Sequence, residues 1–120
     1  MLHFAGVDDV LEGQDDFKLA LGPLPADGTA ILLVHEPDFA DTSAKTKRFD
    51  LQLSGHSHGG QIIFPYLDPP ILPPLAKKYP LGLYQIGEML LYTNRGLGMV
   101  PPQVRFNCRP EITVFTLKTV

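Results

Sequence analysis

The sequence predicts an α/β domain, and three observations carry this prediction. Apolar runs at residues 2–7, 30–34 and 50–54 are typical of β-strands. Segments with helix signals separate these runs, which favours parallel strands joined by crossover connections. The hydrophobic fraction of 44% and the charged fraction of 19% are typical of a globular chain, and a length of 120 residues predicts a single domain.

Each predicted strand is followed by a turn or a short helix. After the first strand, Asp15 or Asp16 can cap a helix over residues 17–21. The second strand is continuously apolar, as expected when both faces of a sheet are covered, and a weak helix with basic residues follows it. The third strand runs directly into Gly55. This half of the chain therefore predicts the parallel part of the fold.

The second half of the chain predicts a different arrangement. Residues 65–80 contain six prolines and predict a long surface loop. Residues 83–86 and 89–93 flank a two-residue turn and predict a β-hairpin. Residues 112–118 alternate apolar and polar side chains, which predicts a half-buried final strand. A proline-rich loop and a C-terminal antiparallel portion therefore complete the predicted fold.

Charge and cysteine content exclude several classes of protein. A net charge of −3 gives no global case for nucleic-acid binding. Residues 51–120 carry six basic and three acidic side chains, which favours a phosphorylated or acidic ligand. The single cysteine, Cys108, excludes an intramolecular disulfide and a thiolate zinc site within one chain. Neither a transmembrane stretch nor a signal peptide is recognisable in these residues.

Three histidines follow the ends of predicted strands. His35 comes directly after residues 30–34, and His56 follows residues 50–54 after one glycine. Parallel strands deliver ligand-binding groups at their carboxyl ends. In an extended chain, His58 would lie on the same side as His56. Imidazole is the commonest metal ligand, so the pattern predicts a metal site. The alternative is that these are ordinary loop histidines.

A resemblance to a known family rests on five segments. Residues 55–61, Gly-His-Ser-His-Gly-Gly-Gln, resemble the last metal-binding motif of the calcineurin-like metallophosphoesterases, in particular the bacterial Gly-His-Thr-His-Gly-Gly-Gln branch. Residues 32–38 resemble the preceding His motif. Residues 92–98 and 110–112 resemble the C-terminal loop and last strand, and residues 2–9 resemble the strand and Asp-rich turn of that branch. The segments occur in the family's order.

The resemblance implies part of a four-layer α/β/β/α sandwich and a two-metal hydrolase of phosphomonoesters or phosphodiesters. It implies that His35 and His56 ligate one metal ion and His58 the other. Divalent Mn, Fe or Zn would suit such ligands. Arg95, in a glycine-flanked loop, is a candidate for binding the substrate phosphate. A solvated loop arginine is the equal alternative.

The chain departs from the family in one respect. It contains no Asp-X-His, no Gly-Asp-X-X-Asp and no Asn-His motif. Three neutral imidazoles cannot offset the repulsion between two neighbouring dications. We therefore expect residues 1–120 to be the C-terminal half of a metallophosphoesterase domain, with little or no activity alone. The alternative is a non-catalytic metal-binding or interaction module.

Expected partners follow from the same features. A phosphate ester is the expected substrate. Half of a sandwich leaves an apolar sheet face uncovered, which favours self-association. Lys77 and Lys78 are expected to be a solvated pair; because they lie beside apolar residues of the proline-rich loop, peripheral membrane contact is the alternative. The location is therefore left open between cytoplasmic and membrane-associated in bacteria. Glu36 is expected to be exposed, and Asp9 to end its strand in a turn.

Overall fold

A computed structural model describes residues 1–118 and shows one five-stranded sheet of order β1-β2-β3-β5-β4. The strands are β1 (Leu2–Gly6), β2 (Thr29–Leu33), β3 (Leu51–Ser54), β4 (Gly82–Ile86) and β5 (Met89–Thr93). The helices are α1 (Phe17–Leu21) and α2 (Ala40–Lys45), with short 3₁₀ turns at Pro37–Phe39 and His58–Gly60. The predicted α/β class is confirmed.

The sheet is parallel except at one edge. Strands β1, β2, β3 and β5 pair in parallel, and β4 pairs antiparallel with β5 across the predicted hairpin. The register places Ile31 opposite Leu51 and Leu51 opposite Leu90. The expectation that β2 and β3 are parallel neighbours is therefore confirmed. As a result, the carboxyl ends of β2, β3 and β5 meet at one edge of the sheet.

The core lies between one face of the sheet and the two helices. Its buried centre consists of Ala30, Leu32, Val34, Phe39, Ala40, Phe49, Met89 and Leu91. Helix α1 begins as predicted at Asp16, whose carboxylate accepts the N–H of Leu19 at 3.1 Å. Phe17 then packs edge-on against Phe39, with ring centroids 5.0 Å apart. Alternate residues of the strands therefore point toward the face of the sheet that the helices cover.

The opposite face of the sheet has no covering layer over much of its area within residues 1–118. Phe4, Leu33 and Leu83 project from it and are 61%, 45% and 62% exposed. A sheet with helices on one face supplies two layers, whereas the resemblance implies four. The described residues therefore form two layers, one sheet and one helical layer.

The predicted strand at residues 112–118 is wrong. This segment pairs with no strand of the sheet; Thr113 faces inward, whereas Thr116 and Lys118 are exposed. Glu111 contacts Arg95, and Thr113 contacts Asn94 at 3.0 Å. Ile112 and Val114 consequently point outward. Phe115 packs edge-on against the Tyr92 ring, with centroids 5.2 Å apart, so polar and aromatic contacts together hold this segment against the protein.

We expect the isolated chain to self-associate through the uncovered sheet face, because contiguous exposed apolar area favours association. Leu83→Lys should shift the oligomer toward monomer, since it puts a charge on that face. Leu67→Lys is the matched control, because Leu67 is 67% exposed in the proline-rich loop, away from the sheet. Light scattering measures the mass. A wild-type monomer at high concentration would contradict the expectation.

Candidate metal centre

The ends of β2 and β3 bring two imidazoles together. Parallel pairing continues past both strands, because the Gly55 N–H donates to the His35 carbonyl at 3.0 Å. The His35 and His56 rings lie with centroids 4.8 Å apart. Their nearest nitrogens, His35 Nε2 and His56 Nδ1, are 3.0 Å apart. Adjacent parallel strands therefore deliver both histidines to one place, as the sequence predicts.

The turn after β3 reaches its position by a coiled path, so the expected extended chain is wrong. His56, His58 and Gln61 have φ values of 64°, 50° and 58°, in the left-handed region. The Ser57 hydroxyl accepts the N–H of Gly59 at 3.0 Å and closes the turn. His58 nevertheless lines the same cavity as His35 and His56. The three histidines share one cavity although the backbone is not extended.

Two backbone carbonyls fix the protons of the imidazoles. His56 Nε2 lies 3.0 Å from the Pro74 carbonyl, and His58 Nδ1 lies 3.1 Å from the Gly98 carbonyl. A carbonyl only accepts, so each of these nitrogens carries the proton. In the neutral rings, His56 Nδ1 and His58 Nε2 therefore keep the lone pairs that bind metals.

The geometry fits a shared ion for His35 and His56. Two nitrogens that are each about 2.0–2.1 Å from one ion lie roughly 2.9–3.4 Å apart at ordinary coordination angles. The observed separation of 3.0 Å falls within that range. Within residues 1–118, no set of three or more His, Cys, Asp or Glu side chains is arranged around a common point. A metal held by the pair would need further ligands.

Comparison with known proteins identifies the family of the chain. The chain is 48% identical to the uncharacterized metallophosphoesterase YkuE of Bacillus subtilis, over 98% of its length. It is 40% identical to the phosphodiesterase YaeI of Escherichia coli over 72% of its length, and 37% identical to the uncharacterized metallophosphoesterase Cj0846 of Campylobacter jejuni over 95%. The chain belongs to the calcineurin-like metallophosphoesterase family. Divalent metal ions are therefore its implied cofactors.

The chain spans 41%, 32% and 29% of the lengths of these three metallophosphoesterase relatives. No family model and no solved structure matches it. The family assignment therefore rests on full-length relatives of which this chain corresponds to a part.

Glu36 directly follows His35 in the chain, and its expected exposure is wrong. Its side chain is fully buried, and its carboxylate accepts the N–H groups of Val10 and Leu11 at 3.4 Å each. Asp9 ends the preceding turn as predicted, accepting the N–H of Glu12 at 3.0 Å. That hydrogen bond is the main cause that lowers the pKa of Asp9. Glu36 thus fastens the first loop next to His35.

Arg95 lies outside the histidine cavity. Its Nε donates to a Glu111 carboxylate oxygen at 2.8 Å, and the two side chains are 32% and 15% exposed. This hydrogen bond raises the pKa of the Arg95 guanidinium. Arg95 lines a separate surface cavity with Arg105 and Arg109. A role for Arg95 in phosphate binding stays a prediction.

Arg105 is a residue that sequence reasoning missed. Its guanidinium donates to the carbonyls of His58, Arg95 and Gly98 at 3.2, 2.8 and 2.7 Å. It therefore joins the histidine turn to the loop whose Gly98 carbonyl holds the His58 ring. The planar fork of arginine suits this multiple contact. The only signal in the sequence is a basic residue shortly after a glycine-rich loop.

The lysine pair at the candidate membrane contact is partly engaged within the protein. Lys78 Nζ lies 2.7 Å from an Asp41 carboxylate oxygen, and the Tyr79 hydroxyl donates to the same carboxylate at 2.8 Å. The Asp41 carboxylate raises the pKa of Lys78 through this hydrogen bond. Peripheral membrane contact stays a prediction. Every helix in the described residues is too short or too polar to cross a bilayer.

Proposed function

We propose that the chain supplies part of the metal centre of a phosphoesterase that hydrolyses phosphomonoesters or phosphodiesters. The observation that carries the proposal is the approach of His35 and His56 at one sheet edge, with nitrogens 3.0 Å apart. His58 lines the same cavity, so three imidazoles are available to metal ions there. The relative from Escherichia coli is named a phosphodiesterase, which supports hydrolysis of this bond type.

In this proposal His35 and His56 hold one divalent ion and His58 holds a second, with Mn, Fe or Zn suited to the ligands. When bound, such ions polarise a phosphoryl oxygen and stabilise charge on the leaving oxygen. The chain's own contribution is orientation. The Pro74 and Gly98 carbonyls hold the rings of His56 and His58 so that one nitrogen of each faces away from its carbonyl. His35 Nε2 and His56 Nδ1 lie within hydrogen-bond distance, and a cation held by both nitrogens would take the place of that hydrogen bond.

The remaining ligands come, in this proposal, from outside the 120 residues. Among the described residues, no carboxylate lines the histidine cavity. Two neighbouring dications repel each other unless negative ligands offset their charge. The chain corresponds to only 41% of its Bacillus subtilis relative, so those ligands have room elsewhere in a longer protein. The same lack of carboxylates favours the alternative function, a non-catalytic metal-binding module.

Metal binding is the first test. We expect Mn²⁺ to bind the wild-type chain, and His56→Ala to weaken that binding by about tenfold or more, because it removes a ligand nitrogen. His3→Ala is the matched control, since His3 lies on β1 outside the cavity. Titration calorimetry gives both affinities. Equal Mn²⁺ affinity for wild type and His56→Ala would show that His56 is not a ligand.

Turnover separates the two candidate functions. With Mn²⁺, a longer protein that adds the Asp-X-His and Gly-Asp-X-X-Asp motifs should hydrolyse bis(nitrophenyl) phosphate, and the 120-residue chain should not. The positional contribution that the full set of ligands makes is about 7–11 kcal/mol in the best cases. Release of nitrophenol measures the rate. Strong activity of the chain alone would contradict the need for outside carboxylates, and inactivity of both proteins would favour the non-catalytic module.

A further inference from the structure

We propose that the histidine cavity binds the apolar group of the substrate. The preferred substrates are then phosphate esters of alkyl or aryl alcohols, rather than of sugars or nucleosides. This inference rests on the proposed function, because it places the phosphate at the three imidazoles and the esterified group against the cavity wall.

The wall beside the imidazoles is apolar. The cavity has a volume of about 370 Å³, which suits a small ligand group. The turn after β3, the proline-rich loop and the loop after β5 all contribute to it. The apolar lining residues are Ile62, Ile71, Leu72, Pro73, Val100, Pro101 and Pro102. If the phosphate of a substrate lies at the imidazoles, the ring or short chain attached to it would therefore contact the apolar side chains of the wall.

The polar side chains that line this cavity, apart from the imidazoles, already have partners. The Gln61 carbonyl oxygen accepts the N–H of Val100 at 2.7 Å, and its amide donates to the Val100 and Pro102 carbonyls at 3.0 and 3.1 Å. The Ser57 hydroxyl accepts the N–H of Gly59. Hydroxyl groups of a sugar would find few free partners here and would lose their hydrogen bonds with water. An apolar group makes no hydrogen bonds with water, so it loses none when it enters the cavity.

Charge argues in the same direction. Within residues 1–118, no lysine or arginine lines the cavity. Arg95 is paired with Glu111, Arg105 donates to the His58 and Gly98 carbonyls, and both arginines line another cavity. Additional phosphates of a nucleotide would therefore meet no cation along this wall. A substrate with one phosphate and one uncharged apolar group matches the cavity better.

A matched pair of ligands tests the inference in the wild-type chain with Mn²⁺. Cyclohexyl phosphate and inositol 1-phosphate share a six-membered carbon ring, but only the second carries hydroxyls on the other ring carbons. We expect cyclohexyl phosphate to bind at least about tenfold more tightly than either inositol 1-phosphate or inorganic phosphate, because burial of CH₂ groups is favourable. Calorimetry measures all three affinities under the same conditions.

A matched pair of variants locates the effect. Ile71 and Leu67 lie in the same proline-rich loop and are 66% and 67% exposed, but only Ile71 lines the cavity. Ile71→Asn should weaken cyclohexyl phosphate binding roughly three- to tenfold and leave inorganic phosphate unchanged, because it removes apolar wall. Leu67→Asn should change neither affinity. Circular dichroism checks that both variants stay folded.

The outcomes separate this inference from the function it rests on. If Mn²⁺ binds but cyclohexyl phosphate is no better than inositol 1-phosphate, the apolar subsite is refuted and the metal centre stands. If the preference exists but survives Ile71→Asn unchanged, the group binds elsewhere and the cavity assignment is wrong. If Mn²⁺ does not bind, the metal centre fails, and the phosphate-ester form of the inference fails with it.

Discussion

Replacing Gly60 with alanine is expected to destabilise the chain by about 2–5 kcal/mol and to abolish metal binding at the histidine turn. Gly60 has a φ of +73°, a conformation that alanine adopts only with strain. A Cβ at this position would lie 2.3 Å from Cβ of Pro69, well inside van der Waals contact. The proline ring belongs to the loop that packs over His56, so the two segments must separate to relieve the clash.

Alanine variants at two other glycines separate the effect of backbone strain from that of steric clash. Gly87 has a φ of +60° with open space around its missing Cβ, so Gly87→Ala should cost only about 1 kcal/mol. Gly55 has neither a positive φ nor a close neighbour, so Gly55→Ala should be nearly neutral. Urea denaturation of the three variants measures their free energies of unfolding and so ranks their stabilities. If Gly60→Ala were as stable as Gly87→Ala, Pro69 would not pack on the turn as described.

The sheet was predictable because its signals are local. The apolar run that forms β2 reports burial directly, and Asp16 caps α1 with a side chain only three residues from the N–H that it binds. The hairpin of β4 and β5 follows from two apolar runs and a turn that needs a glycine. Each of these elements depends on residues that are neighbours in the sequence.

The site was predictable only in part. The approach of His35 and His56 follows from the topology, since both come just after parallel strands. The burial of Glu36 does not follow from the topology, because its partners Val10 and Leu11 are 26 and 25 residues away in the chain. Similarly, Arg105 acts on His58 from 47 residues away. Long-range polar contacts of this kind leave no local pattern.

The C-terminal segment shows how alternation can mislead. The sequence alternates correctly for a strand, and the structure keeps an alternation of inward and outward side chains. The inward positions belong to Glu111 and Thr113, whose partners are Arg95 and Asn94, and to Phe115, which packs on the Tyr92 ring. Ile112 and Val114 are left 78% and 86% exposed.

Stability of the chain is expected to fall in acid because of Glu111. Burial acts to raise the pKa of this carboxyl, but hydrogen bonds from Tyr92, Arg95 and Thr113 outweigh burial and lower the pKa from 4.5 to about 2. The unfolded chain therefore binds a proton at higher pH than the folded chain does. The stabilisation is complete above the unfolded pKa and is lost as the pH falls through the folded pKa. The contribution is on the order of 3 kcal/mol.

Urea denaturation between about pH 6 and pH 3 measures this effect as a decrease in the free energy of unfolding. Glu111→Gln should be less stable than wild type at the upper pH and should show a shallower dependence, since it removes the titrating group. Glu88→Gln is the matched control, because Glu88 is exposed at the hairpin turn and should leave the slope unchanged. If Glu111→Gln and wild type lost equal free energy on acidification, the carboxylate would not hold the C-terminal segment against Arg95.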